Sequence, residues 1–279
     1  LAVPSLPGDA RPMHAALFLL EFLKWVSLAG CSSRVFVRTY GNSAVAPLSE
    51  CTAAIGALSS GEIAALIGVA RLDLSSLSLT VVDIPEQSIR ASSALIALSR
   101  DAFGAGEEVH IAWTDDRRYV PRLRASARTV IPKGDGEQPP PAVCTLTGGL
   151  GGLGLRCAQM LARQGTGHLL LTSRSGRVAR CETELVARLG RLRLCGTNVK
   201  ALACDLGDAR ESVALMQAVL GTARPDSIGC LHAAGVGHRG LLAEQSAFDL
   251  RHIFAPKAIG AQHLHAAAHT IATSSMVFF

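Results

Sequence analysis

The chain has 279 residues, of which 49% are hydrophobic and 18% charged, a balance that excludes intrinsic disorder and leaves room for one large or two smaller domains. The net charge of +5 is mild and the arginines are scattered among few aromatics, which excludes a nucleic-acid-binding stripe. The eight cysteines, Cys31, Cys51, Cys144, Cys157, Cys181, Cys195, Cys204 and Cys230, stand singly in apolar runs, which argues against a disulfide framework and for reduced thiols in a reducing, cytoplasmic compartment.

The first apolar stretch, Ala15 to Leu28, carries Glu21 and Lys24 and is too short to span a bilayer. It reads as a helix from Met13 to Leu28, with no membrane segment. Arg34 to Tyr40 reads as a strand, Glu50 to Val69 as a helix, and Leu77 to Ile84, which alternates and stops at Pro85, as a strand. Ser88 to Ser99 reads as a helix. Val109–Trp113 and Tyr119–Leu123 read as a closing hairpin across Asp115 and Asp116. Residues 129–141 are rich in proline and glycine and read as an exposed linker. The expected division is therefore a domain over 1–128, the linker, and a second domain over 142–279.

After the linker, strands and helices alternate regularly. Strands are expected at Ala142–Leu146, His168–Ser173, Val199–Cys204, Ile228–Ala234 and from Met276. Helices are expected at Gly152–Gln164, Val178–Leu194, from the capping residue Asp208 to Leu220, and at Ala247–Ala268, the last interrupted near Pro256. This order gives an α/β protein with a doubly wound parallel sheet. The chain opens on Leu1 and closes on the apolar run Met276–Phe279, so both ends read as cuts through a longer polypeptide.

The sharpest motif is Thr147, Gly148, Gly149, Leu150, Gly151, Gly152, Leu153, Gly154, set between an apolar strand and an amphipathic helix. Glycines there permit a tight turn and let backbone N–H groups approach a pyrophosphate, and the helix N-terminus adds a favourable field for the anion. The end of the following strand, about twenty residues on, usually carries Asp or Glu when the ligand is NAD. Here it reads Ser173, Arg174, Ser175, Gly176, Arg177. No carboxylate repels a 2′-phosphate, Arg174 can pair with it and Ser173 can hydrogen-bond it, so the pattern favours NADPH over NADH.

Taken in order, Val143–Gly154, His168–Arg174, Ala203–Leu206, Leu231–Gly235 and Pro256–Lys257 resemble the ketoreductase domain of modular type I polyketide synthases and related fatty acid synthases, within the short-chain dehydrogenase/reductase superfamily. The first half is similar, more loosely, to that family's structural subdomain, a degenerate Rossmann unit that binds no cofactor. The resemblance implies that Asp205 and Leu206 flank the adenine, that Ala233, Ala234 and Gly235 line the ribose and nicotinamide, and that Lys257 is the lysine of a Ser-Tyr-Lys-Asn catalytic group. It further implies an NADPH-dependent reduction of a β-ketoacyl thioester, presented on the phosphopantetheine of an acyl carrier protein, with other synthase domains in the same polypeptide.

The pattern departs from the family in several places. The family serine follows the fifth strand, and Ser274 and Ser275 are expected to precede that strand. Only Tyr40 and Tyr119 are tyrosines, and both lie before the linker. The fragment is thus expected to be inactive alone, its Rossmann sheet incomplete. Leu150 stands where Thr or Ser is common, and the Leu-Asp-Asp that marks one stereochemical class is missing after Val236. A scaffold that only binds nucleotide and a stand-alone short-chain reductase are the alternative readings. His252, His263, His265 and His269 lack a completing Cys or carboxylate and read as surface or capping residues, not as a metal site. No G-x-S-x-G elbow of a hydrolase occurs.

Overall fold

A computed structural model describes residues 11–30, 34–39, 61–84, 108–114, 117–123, 125, 140–178, 183–194, 196–221, 227–269 and 275–278. The expected helix at Ser88–Ser99, the start of the one expected at Glu50 and the end of the expected strand at Tyr40 lie outside these residues. The chain forms two compact units, Leu1–Thr129 with Arg239–Leu250, and Val130–His238 with Arg251–Phe279. The second domain expected from the sequence therefore lends residues 239–250 to the first unit.

In the first unit, α1 (Arg11–Leu28) buries Ala16, Leu19, Leu20, Leu23 and Val26, an apolar stripe at helical spacing that packs against α2 (Gly61–Asp73) through Ile63, Ile67 and Ala70. The sheet runs β1 (Arg34–Thr39), β2 (Ser78–Asp83), β3 (His110–Thr114), β4 (Arg117–Tyr119), parallel except for the last pair. α2 continues to Asp73, past the expected end at Val69, because its buried face continues through Ala70 toward Leu74. β4 occupies 117–119 instead of 119–123. Thr114 pairs with Arg117, so the strand starts at once after the connection, and Pro121 has no N–H to extend the ladder. Asp73 Oδ2 accepts the Leu242 N–H at 2.8 Å and so holds the 3₁₀ turn Leu242–Glu244.

The second unit has β5 (Val143–Thr147), α3 (Gly152–Gln164), β6 (His168–Ser173), α4 (Thr183–Leu194), β7 (Asn198–Ala203), α5 (Ala209–Leu220), β8 (Ile228–His232), α6 (Ala247–Phe254, begun in the first unit), a π-helical turn at Ala255–Ile259, α7 (Gly260–His269) and β9 (Ser275–Phe278). The sheet order is β7-β6-β5-β8-β9 and every pair is parallel. Core side chains lie on both faces. Leu146, Leu155, Leu161, Leu169 and Leu171 form one cluster, and Val143, Leu170, Leu215, Met216, Val219 and Leu264 form the other. Each fully buried Leu or Val contributes about 1.5–3 kcal/mol through area removed from water. Among the described residues no helix is long and apolar enough to cross a membrane.

Three expectations shift and one holds. α4 starts at Thr183, with Val178 outside it. β8 ends at His232, since Ala233 and Ala234 leave the sheet. The interruption expected near Pro256 in the helix over Ala247–Ala268 is found there as the π turn, where Pro256 can donate no N–H. Ser275 is the first residue of β9 and does not precede it, while Ser274 is outside the described residues.

Candidate functional site at the carboxyl edge of the sheet

Parallel strands bring their C-terminal ends to one edge, and the strand order reverses between β5 and β8, where ligands of open α/β sheets bind. The glycine loop leaves β5 at this point. Gly148 has φ +68°, and a Cβ there would lie 2.6 Å from the Ala233 carbonyl oxygen. A Cβ on Gly149 would lie 2.6 Å from the Leu146 carbonyl oxygen, and one on Gly154 would run into the backbone of Gly148 and Gly149. These three positions therefore require glycine for packing. Gly152 differs, since a Cβ there meets nothing within 4 Å, and Gly151 and Gly152 are exposed. Gly151 is the N-cap of α3 and supplies no side-chain cap, so the first-turn amides of this helix face open space. Such a cradle of uncapped N–H groups fits a pyrophosphate. Leu150 is buried and Leu153 exposed.

The β6 exit carries the next group. Ser173 is half-buried and its hydroxyl donates to the Arg177 carbonyl at 3.3 Å, as does that of Ser175, so both serines shape the turn. Arg174 is exposed and makes no hydrogen bond or ion pair among the described residues. At the β7 exit, the Asp205 carboxylate accepts the Gly207 N–H at 3.0 Å and its own N–H donates to Glu211 at 2.7 Å, which is turn chemistry. Leu206 is buried against Gly260, and its carbonyl oxygen lies 2.9 Å from His263 Nδ1. His263 is thus a capping histidine that fastens α7 to this loop. Asp208 caps α5 as expected, accepting the Arg210 N–H at 2.8 Å.

The β8 exit gathers the rest. Ala233 and Ala234 are half-buried and Gly235 is exposed. Lys257 sits at the centre of the π turn, exposed, and a Cβ on Gly235 would lie 2.9 Å from its Cε. The lysine stem therefore lies along the glycine. π turns within helices are frequent at functional sites. His232, a plain strand residue by its sequence pattern, ends β8 opposite Thr147, and Thr147 Oγ1 shares a hydrogen bond with its Nδ1 at 2.7 Å. Its ring stands edge-on to Phe278, with centroids 5.8 Å apart. Burial holds its pKa below the ordinary 6.5, and its Nε2 is buried without a hydrogen-bond partner among the described residues. The one available signal was a lone histidine in an otherwise apolar strand. The candidate residues expected from the sequence are thus all arrayed at one sheet edge; His263 joins them in one of the two roles expected of it, as a capping histidine, and His232 joins them unforeseen.

Residues 142–279 match the family model described as KR domain. The chain belongs to the KR domain family. Polyketide synthase GfsA of Streptomyces halstedii is 35% identical over 218 residues, covering 77% of this chain and 3% of the synthase. The spectinabilin polyketide synthase system protein NorB of Streptomyces orinoci is 37% identical over 141 residues, covering 50% of this chain and 6% of that protein. The solved structure of A-type ketoreductases from a modular polyketide synthase superposes with a TM-score of 0.78 at 29% identity, covering 95% of this chain and 54% of that one. The KR chain thus spans a small part of the curated relatives it matches and about half of the ketoreductase structure. Its edge-of-sheet cradle is the place where a nicotinamide cofactor fits the residues present.

Proposed function

We propose that this KR domain binds NADPH across the carboxyl edge of its sheet and serves the reduction of a β-ketoacyl thioester, carried on the phosphopantetheine of an acyl carrier protein, during polyketide assembly. The observation that carries the reading is the uncapped N-terminus of α3 above a loop in which Gly148, Gly149 and Gly154 leave no room for a larger residue. Residues 148–154 hold the pyrophosphate through backbone amides. Arg174, free of carboxylates, pairs with the 2′-phosphate, and Ser173 can turn from the Arg177 carbonyl to join it. Leu206 forms an apolar wall for the adenine, and Asp205, with Oδ1 engaged by Gly207, offers its second oxygen to the rim. Ala233, Ala234 and Gly235 let the ribose and nicotinamide lie against backbone.

NADPH, when bound, supplies the hydride for the β-carbonyl carbon. The Lys257 ammonium binds the ribose and lowers the pKa of a neighbouring phenol that gives its proton to the carbonyl oxygen. No tyrosine stands within residues 142–279, so this stretch binds cofactor without completing turnover, and by itself it acts as a nucleotide-binding scaffold. Acyl carrier protein and further synthase domains in the same polypeptide are its partners. The buried free thiols of Cys144, Cys204 and Cys230 accord with a reducing cytoplasm.

The test follows NADPH oxidation with an N-acetylcysteamine β-ketothioester. The full-length synthase should turn over and residues 1–279 should not, while both should quench or shift NADPH fluorescence and leave NADH nearly unaffected. Failure of both to bind NADPH would end the reading. Turnover by residues 1–279 would overturn the assignment of the missing phenol.

A further inference from the structure

Gly235 is a glycine of a different kind from those of the phosphate loop. A Cβ on Gly148 or Gly154 would meet backbone at 2.6 Å and 2.4 Å, which only a move of the main chain could relieve. A Cβ on Gly235 would have Cε, Cγ and Cδ of Lys257 as its three nearest atoms, at 2.9, 3.6 and 3.8 Å. Non-bonded carbons settle at about 3.5–4.0 Å, so the lysine stem fills the space that a methyl group at 235 would need. The backbone of Gly235 does not itself call for glycine, since its φ lies outside the left-handed region.

The base of the lysine is held in place by the loop that leaves β7. The π turn Ala255–Ile259 ends at Gly260, where a Cβ would lie 2.8 Å from Leu206 Cβ. Three residues further on, His263 Nδ1 lies 2.9 Å from the Leu206 carbonyl oxygen. At the start of the turn, Ala255 Cβ would stand 3.6 Å from a Cβ on Gly207. The main chain of the turn is thus packed against residues 206–207 at both of its ends. The tip of the lysine has no such hold, because its ammonium makes no ion pair among the described residues. The place of the ammonium is therefore set by what the stem lies on. A long exposed side chain without such a bed spreads over many rotamers, and ordering it costs entropy.

We propose that Gly235 is a positioning residue for Lys257: the absence of a side chain at 235 is the slot that lays the lysine stem along the β8 exit and sets its ammonium against the ribose. This rests on the NADPH reading given above. The cofactor meets residue 235 through its backbone, while the side that a Cβ would occupy belongs to the lysine. Gly235 therefore acts through Lys257.

The test is a double-mutant cycle in the 279-residue chain, read by NADPH fluorescence titration and by thermal melting. Gly235→Ala should melt within about 2 °C of the wild type, because a flexible stem gives way and the backbone does not. It should weaken NADPH about fivefold to 20-fold, as the displaced ammonium loses a charge-assisted hydrogen bond. Lys257→Ala should weaken NADPH by at least as much. In the Lys257→Ala background no stem is left to displace, so adding Gly235→Ala should change the affinity by less than about twofold. Equal weakening with and without the Lys257 side chain would overturn the proposal, since the added methyl would then act on the cofactor itself. Wild-type affinity in Gly235→Ala would overturn it as well. So would a melting temperature lowered by more than about 5 °C, which would show the main chain yielding instead of the lysine. A wild type that binds no NADPH at all would instead overturn the parent reading.

Discussion

Each unit places a buried side-chain hydrogen bond at the carboxyl ends of two neighbouring parallel strands. In the first unit, Thr39 donates to Asp83 at 2.7 Å, and the two residues are paired in register at the ends of β1 and β2. In the second, Thr147 and His232 occupy the corresponding relation at the ends of β5 and β8, also at 2.7 Å. The surroundings differ. Around Thr147 the chain turns through glycines and leaves an uncapped helix N-terminus and an orphaned imidazole nitrogen. No glycine loop follows Thr39 in the sequence, and the sheet finishes with an antiparallel strand. The same strand-and-helix layering thus carries two different sets of strand exits, and a site is made by such exits and not by the layering.

The largest break in this comparison should come from Gly148→Val. The positive φ and the 2.6 Å approach to Ala233 leave no room for a side chain, so NADPH affinity should fall by more than about 100-fold in a fluorescence titration. Next, Ile67→Ala empties a fully buried site in the first unit and should cost about 2–5 kcal/mol in chemical denaturation. If the two units divide labour as described, the NADPH dissociation constant stays unchanged in that variant. Arg174→Ala should weaken NADPH by about 10-fold to 100-fold and leave NADH alone, since only the charge-assisted contact to the 2′-phosphate is lost.

The smallest effect is a difference in pH response. Burial pushes the Glu62 carboxyl in the first unit up to about 7, so its contribution to stability is full below the ordinary 4.5 and is lost as pH rises through about 7. His232 in the second unit is displaced downward, so its contribution is full above 6.5 and is lost as pH falls below that value. His110, also depressed, first by burial and then by Arg71, acts in the first unit with the same sign as His232. Melting temperatures followed over roughly pH 5 to 8 should show Glu62→Gln removing a loss toward high pH and His232→Gln removing a loss toward low pH. Matching slopes in both variants would break the comparison.

Much of this was legible before any coordinates. Alternation and the glycine motif give the five-stranded parallel sheet and the loop, because a buried strand and a phosphate turn each leave a local signature. The helix Gly152–Gln164 and strand His168–Ser173 match residue for residue. What local pattern could not give was set by distant partners. His263 reads as a surface or capping histidine, and only its contact with the Leu206 carbonyl, 57 residues away, decides for capping. The role of His232 depends on Thr147, 85 residues away in sequence. β4 moved because pairing with β3, and not its own apolar run, decides where a strand begins.

The loan of residues 239–250 bears on any attempt to transplant this protein. Leu242 and Leu250 are buried, and the Leu242 N–H is anchored by a carboxylate of α2 in the first unit. A chimera spliced at the proline-rich junction near residue 141 would carry those leucines into a host that offers no seat for them. A donor exchanged with its own first 129 residues keeps the seat, so the natural unit of recombination is the pair of lobes together.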